Sequence, residues 1–244
     1  MDGPAIRGTR VAAGRLCARR VPGILGAMTD RRFAYPIVLD LAGRRAVVVG
    51  GGRVALRKAR ALAEAGARVS AVAPDFLPEF AEAAGVERIE AAYAAEHLEG
   101  AALVIAATDE EAVNRRVAED ARAAGVLVNV VDVPEQCDFI VPAQVRRGDL
   151  VVAVTTGGAA PSLARRLRQR LEAEFGPEWA AYLEALRAAR ERILAEGRPP
   201  EVRRRLFERL TEPDLLEAAR AGPDALRRAI DAAVAEGRSP DPPS

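Results

Sequence analysis

The sequence predicts an α/β fold: a parallel sheet wound on both faces by helices, then a small β-hairpin, then a C-terminal helical region. Three observations carry this. Short unbroken apolar runs alternate with helical periods across residues 35–131. Two strand-like runs at 139–145 and 150–155 then follow each other too closely for a parallel crossover. From 161 to about 235 nearly everything is helix-forming, cut into pieces by Gly and Pro.

Ala46-Val47-Val48-Val49 reads as a buried strand, because β-branched residues without alternation suit a sheet covered on both faces. Val54, Leu56, Ala59, Leu62 and Ala63 keep a helical period that Gly66 stops. Residues 68–73 form a second strand ended by Pro74, a short helix covers 77–84, and a strand lies near 88–92. Residues 103–107 form the next apolar strand, 111–124 a helix, and 126–131 the last strand after Gly125. Arg146-Arg147-Gly148-Asp149 links the two hairpin strands, and a long helix starts near Pro161. Gly176-Pro177, Gly197-Arg198-Pro199-Pro200, Pro213 and Gly222-Pro223 divide the helix-forming stretch, and 238–244 is Pro-rich and loose.

Composition excludes several functions. Lys plus Arg number 36 against 35 for Asp plus Glu, so no net field draws the chain to nucleic acid or anionic lipid. No apolar run reaches the roughly 18–20 residues that cross a bilayer. Cys17 and Cys137 make no metal-binding spacing, and a single histidine, His97 on a polar stretch, rules out His-rich metal or Ser-His-Asp chemistry. A reduced, cytoplasmic protein is expected. Residues 1–28 carry Arg7, Arg10, Arg15, Arg19 and Arg20 without a signal-peptide core; they read as a disordered or misassigned extension, with Met28 as a candidate start.

Gly50-Gly51-Gly52-Arg53-Val54-Ala55 gives G-x-G-x-x-A between a strand and a helix, the context of a Rossmann-like dinucleotide site. Gly50 allows the tight turn, Gly52 lets a pyrophosphate approach, Ala55 lets helix pack on sheet, and the helix N-terminus supplies amides and a positive dipole. The acidic residue that holds the ribose in an NAD site comes slightly late, at Asp75. Asp75 either reaches that ribose or caps the next helix. Arg53 either favours a 2′-phosphate or is a solvated helix-start residue. NAD is the expected cofactor.

Beyond the carboxyl ends of the strands emerge Asp75, the pair Thr108-Asp109, and Asp132. Asp132 is read either as a turn former or as a functional acid at the nicotinamide end. Thr155-Thr156-Gly157-Gly158-Ala159-Ala160-Pro161-Ser162, leading into Arg165 and Arg166, is either an anion cradle or an ordinary hairpin exit and helix cap.

Asn129-Val130-Val131-Asp132-Val133-Pro134, then Phe139-Ile140-Val141-Pro142-Ala143, then Val152-Ala153-Val154-Thr155-Thr156-Gly157-Gly158 and Leu163-Ala164-Arg165 closely resemble the dehydrogenase/ferrochelatase module of siroheme synthases. Residues 50–58 and Ala106-Ala107-Thr108-Asp109 extend the resemblance, which runs from about 35 to 171. It implies a nicotinamide domain over 29–141, a strand-rich dimerisation segment over 142–172, and a helical domain over 173–244. It further implies a homodimer and oxidation of precorrin-2 to sirohydrochlorin, with ferrous iron insertion in some members. The family's catalytic aspartate falls on Asp132. Dinucleotide contacts are expected at Gly50, Gly52, Arg53, Val54, Pro74, Asp75, Thr108 and Asp109. Contacts to the carboxylate-rich tetrapyrrole are expected at Asn129, Thr156, Gly157, Gly158 and Arg165; Thr156 replaces a serine that is phosphorylated in one branch. No resident metal is expected. The alternative weighed beside this is an NAD(H)-binding redox-sensing module without chemistry of its own.

Overall fold

The computed structural model describes Phe33 and residues 35–236; the expected N-terminal extension and the Pro-rich end from 238 lie outside the described residues. Strands β1 (Arg45–Val49), β2 (Arg68–Ala73), β3 (Val86–Glu90), β4 (Ala101–Ala106) and β5 (Leu127–Val130) form one parallel sheet in the order β3-β2-β1-β4-β5. Helix α1 (Arg53–Glu64) joins β1 to β2, and α2 (Glu111–Ala124) joins β4 to β5. The lack of alternation in β1 is explained by its surroundings. Ala46 and Val48 pack in one cluster with Ala55, Leu56, Ala59 and Leu62 of α1. Val47 and Val49 pack on the other face with Val117, Ala118 and Ala121 of α2. Strand order reverses beside β1, so the loops leaving β1 and β4 diverge and open a crevice at the carboxyl ends of the strands.

Some expected elements shift. The helix expected at 77–84 is a 3₁₀ turn, Pro78–Glu82, because Pro78 starts it and Gly85, at φ 75°, leaves it no room to propagate. Its Phe80 is still 1 % exposed and plugs the α1 face of the sheet. The strand expected near 88–92 begins earlier, straight after Gly85. In the hairpin, β6 (Ala143–Arg147) pairs antiparallel with β7 (Leu150–Val154), with Arg147 opposite Leu150. The connection is therefore the two residues Gly148-Asp149, with φ 56° at Gly148, and both arginines belong to the strand. Residues 139–142 are not in β6: Asp138 and Phe139 are held along β5 instead.

Helix α3 (Pro161–Glu174) packs on both strands of the hairpin, so the boundary expected at 172 falls inside it. Helices α4 (Glu178–Ala195), α5 (Pro200–Arg209), α6 (Pro213–Ala221) and α7 (Pro223–Glu236) come next in the chain. Proline opens α3, α5, α6 and α7, where its missing N–H has no intrahelical partner to lose. Tyr182, Ile193, Leu206, Leu215, Leu226 and Ile230 gather these helices around a core of their own. Buried Tyr182 donates its hydroxyl to the Leu210 carbonyl at 2.7 Å, tying α4 to the end of α5. Among the described residues, no helix is long and apolar enough to cross a membrane.

Candidate functional site

The crevice is built by three strand ends meeting at glycines. Gly50 N–H donates to Val72 O (2.9 Å), and Ala107 N–H donates to Val49 O (2.8 Å), so the chain leaving β1 is pinned to β2 and β4. Gly50 takes φ 134°, and a Cβ there would run into the Ala107 carbonyl oxygen. At Gly51 a Cβ would collide with the carbonyl oxygen of Asp75, and Leu77 N–H donates to Gly51 O at 3.0 Å. Gly52, the N-cap of α1, faces open space, with no atom within 4 Å of where its Cβ would be. No side chain caps α1, no acid lies in its first turn, and Leu56 is the residue whose N–H returns to Gly52 O. The amides of Arg53, Val54 and Ala55 are thus left without helical acceptors at the positive end of the dipole, a setting that favours an anion.

These residues line a cavity of about 720 Å³. Glycines 50, 51 and 52 with Arg53 and Val54 form its floor; Pro74 and Asp75 come from the end of β2, Thr108 and Asp109 from β4, and Val131 and Asp132 from β5. The size and the open Gly52 face fit a dinucleotide pyrophosphate. Asp75 does not cap the following turn, whose N-cap is Leu77. Tyr93 closes the wall beyond β3, its hydroxyl donating to Asp120 at 3.1 Å. Burial first, and then the Asp120 charge, push this phenol well above its ordinary pKa, so it stays a neutral donor. Asn114, buried on α2, is the clamp of the β4 loop: it accepts from Thr108 N–H (3.2 Å) and Oγ1 (2.9 Å), and donates to Thr108 O (2.9 Å).

Asp132 is exposed at the rim and takes φ 61°, one of only two non-glycine residues with positive φ among the described residues. Left-handed backbone outside glycine is uncommon and collects at functional positions. Lys58, half-buried on α1, has its pKa lowered by burial first and by Arg57 second, against the opposing pull of Asp132 and Cys137. Its folded pKa lies below the unfolded value, so its charge costs stability at neutral pH. That cost is relieved as pH rises from the lowered pKa towards the ordinary 10.5. Lys58→Met is therefore expected to melt at a higher temperature than the parent at neutral pH. The advantage should shrink as pH climbs to the ordinary lysine range; paired melting curves across that range check it.

Not every expected contact converges here. Asn129 is buried beneath the cavity, its amide donating to Phe139 O at 2.9 Å, so its side chain acts on the chain and not at the cavity wall. Thr156, Gly157, Gly158 and Arg165 also lie outside the cavity lining. Thr155 Oγ1 accepts from Gly157 N–H, and Thr156 Oγ1 from Ala160 N–H, both at 3.1 Å, so the chain itself occupies two amides of the expected cradle. Arg165 is exposed on α3. No group of three or more His, Cys, Asp or Glu side chains able to hold a metal ion occurs among the described residues. Reading the residues alone missed Gly51, Asn114, Lys58 and Tyr93. Only Asn114 left a visible trace, a polar residue in helical register with Val117, Ala118 and Ala121.

A Rossmann-type sheet with an uncapped, glycine-floored helix start defines a dinucleotide-binding protein. Residues 37–143 match the model of an NAD(P)-binding family, and residues 147–174 match that of the sirohaem biosynthesis protein central region. Siroheme synthase of Chromobacterium violaceum is 42% identical over 198 residues, covering 80% of this chain and 42% of the relative. Siroheme synthase of Pseudomonas aeruginosa strain UCBPP-PA14 is 44% identical over 207 residues, covering 83% of this chain and 44% of the relative. The chain thus spans less than half the length of these curated relatives. The solved structure of SirC, precorrin-2 dehydrogenase, superposes with a TM-score of 0.66 at 25% identity, over 82% of this chain and 98% of that one. These matches make the chain similar to the N-terminal module of siroheme synthases.

Proposed function

We propose that this chain is an NAD-dependent dehydrogenase that oxidises precorrin-2 to sirohydrochlorin. The carrying observation is Asp132, held at a left-handed φ on the rim of the same cavity whose floor is the glycine turn. The reaction removes a hydride from a saturated carbon of the macrocycle and a proton with it. When bound, NAD supplies the hydride acceptor. Gly52 and the free amides of Arg53 and Val54 hold the pyrophosphate, and Asp75 takes the adenosine ribose and disfavours a 2′-phosphate. Pro74, Thr108 and Asp109 line the remaining wall. Asp132 accepts the proton as general base.

The acetate and propionate arms of the substrate call for cations and amides, which Arg165 and the backbone of Thr156 and Gly158 supply, while Gly157, its N–H held by Thr155 Oγ1, shapes the loop. In one chain these lie apart from the cavity lining, and the homodimer is part of the proposal. Strands β6 and β7 pair on one edge each, and Val141, Val151 and Leu163 around them are 44 %, 37 % and 47 % exposed, a surface suited to a second copy. Sedimentation should return twice the chain mass. A cytoplasmic setting fits the NAD supply and the thiol of Cys137.

The test is turnover. Purified protein with precorrin-2 and NAD should generate sirohydrochlorin absorbance with one NADH per product, faster than with NADP. A parallel run with ferrous iron reports whether iron also enters the ring, and repeating it with Asp132→Asn reports whether that carboxylate takes the pyrrole protons. Protein that binds NAD tightly yet leaves precorrin-2 unchanged would instead support the redox-sensing module.

A further inference from the structure

We infer that Cys137 is a positioning residue for the proposed oxidation: its buried thiol closes the turn that presents Asp132 to the cavity. The catalytic half of this inference rests on the role assigned to Asp132 above; the structural half does not.

Strand β5 is the last strand of the sheet, so one side of it lacks a neighbouring strand. Residues 137 and 138 satisfy that side instead. Asp138 N–H donates to Val128 O (2.8 Å), and its carboxylate accepts from Val128 N–H (3.1 Å). One step along, a sulfur does the equivalent work. Val130 N–H donates to Cys137 Sγ at 3.1 Å, and the thiol hydrogen has Val130 O at 3.2 Å and Val133 O at 3.3 Å as acceptors. Asn129 Nδ2 also lies 3.5 Å from the sulfur. Val130 and Val133 flank the left-handed Asp132, and Val133 N–H reaches back to Val130 O at 3.3 Å. The sulfur therefore touches the chain on both sides of the left-handed Asp132.

Such a conformation persists only when its surroundings over-determine it. Cys137 is 3 % exposed, so water has little access to replace the thiol's hydrogen bonds.

The experiment compares Cys137→Val, Cys137→Ala and Cys137→Ser with the parent, in the full chain, by amide hydrogen exchange and by steady-state kinetics. Valine and alanine remove the hydrogen bonds, the first keeping most of the volume; serine keeps a donor and an acceptor. In the valine and alanine variants, exchange at residues 130–133 should quicken about tenfold or more while the rest of the sheet stays protected. The value of kcat should fall roughly 10- to 100-fold, with affinity for NAD and KM for precorrin-2 within about a factor of two. Serine should recover most of both losses. Unchanged exchange at the turn overturns the inference, as does quickened exchange with parental kcat, which would make the thiol structural only. A parent protein that binds NAD but never oxidises precorrin-2 refutes the dehydrogenase reading and the catalytic half together, while the exchange arm still decides whether the thiol holds the turn.

Discussion

Asp132→Asn is expected to lower kcat for precorrin-2 oxidation by about 10²–10⁴-fold, the usual worth of a positioned general base, while leaving NAD affinity and melting temperature near parental values. Asparagine is the informative replacement because of the backbone. At φ 61° the position suits Asn nearly as well as Asp, whereas most side chains pay a penalty there. Asp132→Ala should lose activity to a similar extent and stability as well, by about 1–2 kcal/mol for placing alanine in the left-handed region. For a chain of this size that is a fall of roughly 2–8 °C in Tm. Asp132→Gly should regain the stability and not the activity. Comparing the three separates the carboxylate from the geometry that carries it. Normal turnover by Asp132→Asn would remove this residue from the chemistry and leave the likeness to the siroheme synthase module intact.

The sheet was legible in the sequence because burial on two faces leaves a signature that nothing else in the chain mimics. Val47 and Val49 face α2, Ala46 and Val48 face α1, and no polar residue interrupts the run. The G-x-G-x-x-A turn was legible for a related reason, since three glycines after such a strand have few other uses. The helical region was divided correctly at its prolines, which stand at the N-cap or the first position of each helix. Local signals failed where a distant group decides the outcome. Strand β6 starts later than its apolar pattern suggests because Phe139 O is taken by Asn129. The 3₁₀ turn before β3 replaces a helix because Gly85 ends it first.

The candidate site divides along the same line. Residues that meet the cavity through their own backbone, such as Gly52 and Arg53, were found from the motif. Those that act by holding another residue were not. Asn114 matters through Thr108, Lys58 through its burial near Asp132, and Cys137 through Val130 and Val133. None of these couplings has a spacing rule, since each joins segments brought together only by the completed sheet. The sequence-level reading of the 155–160 loop as an anion cradle was incomplete for the converse reason. Two of the loop's amides, Gly157 and Ala160, are taken by its own threonine hydroxyls.

Gly51→Ala and Gly52→Ala, adjacent and chemically identical changes, are expected to fail in different ways. A methyl group at Gly51 meets the Asp75 carbonyl oxygen and lies 3.1 Å from the Ala73 side chain, so the ends of β1 and β2 must separate. Overpacking of this kind costs about 1–3 kcal/mol, and the variant should melt several degrees lower with NAD affinity reduced by roughly 10-fold or more. A methyl group at Gly52 meets nothing in the protein, and extended backbone at φ −86° accepts alanine without strain. Stability should therefore stay parental. Yet that methyl occupies the open side of the α1 N-terminus, where the pyrophosphate must approach the amides of Arg53 and Val54. Displacing charge-assisted hydrogen bonds of about 1.5–3 kcal/mol predicts an NAD dissociation constant some 10- to 100-fold weaker. Calorimetric titration with NAD, beside thermal melts of the same samples, reads both quantities. Parental NAD affinity in Gly52→Ala would mean that the dinucleotide does not lie on this helix start, and the placement of every cofactor contact proposed along the cavity would have to be redrawn.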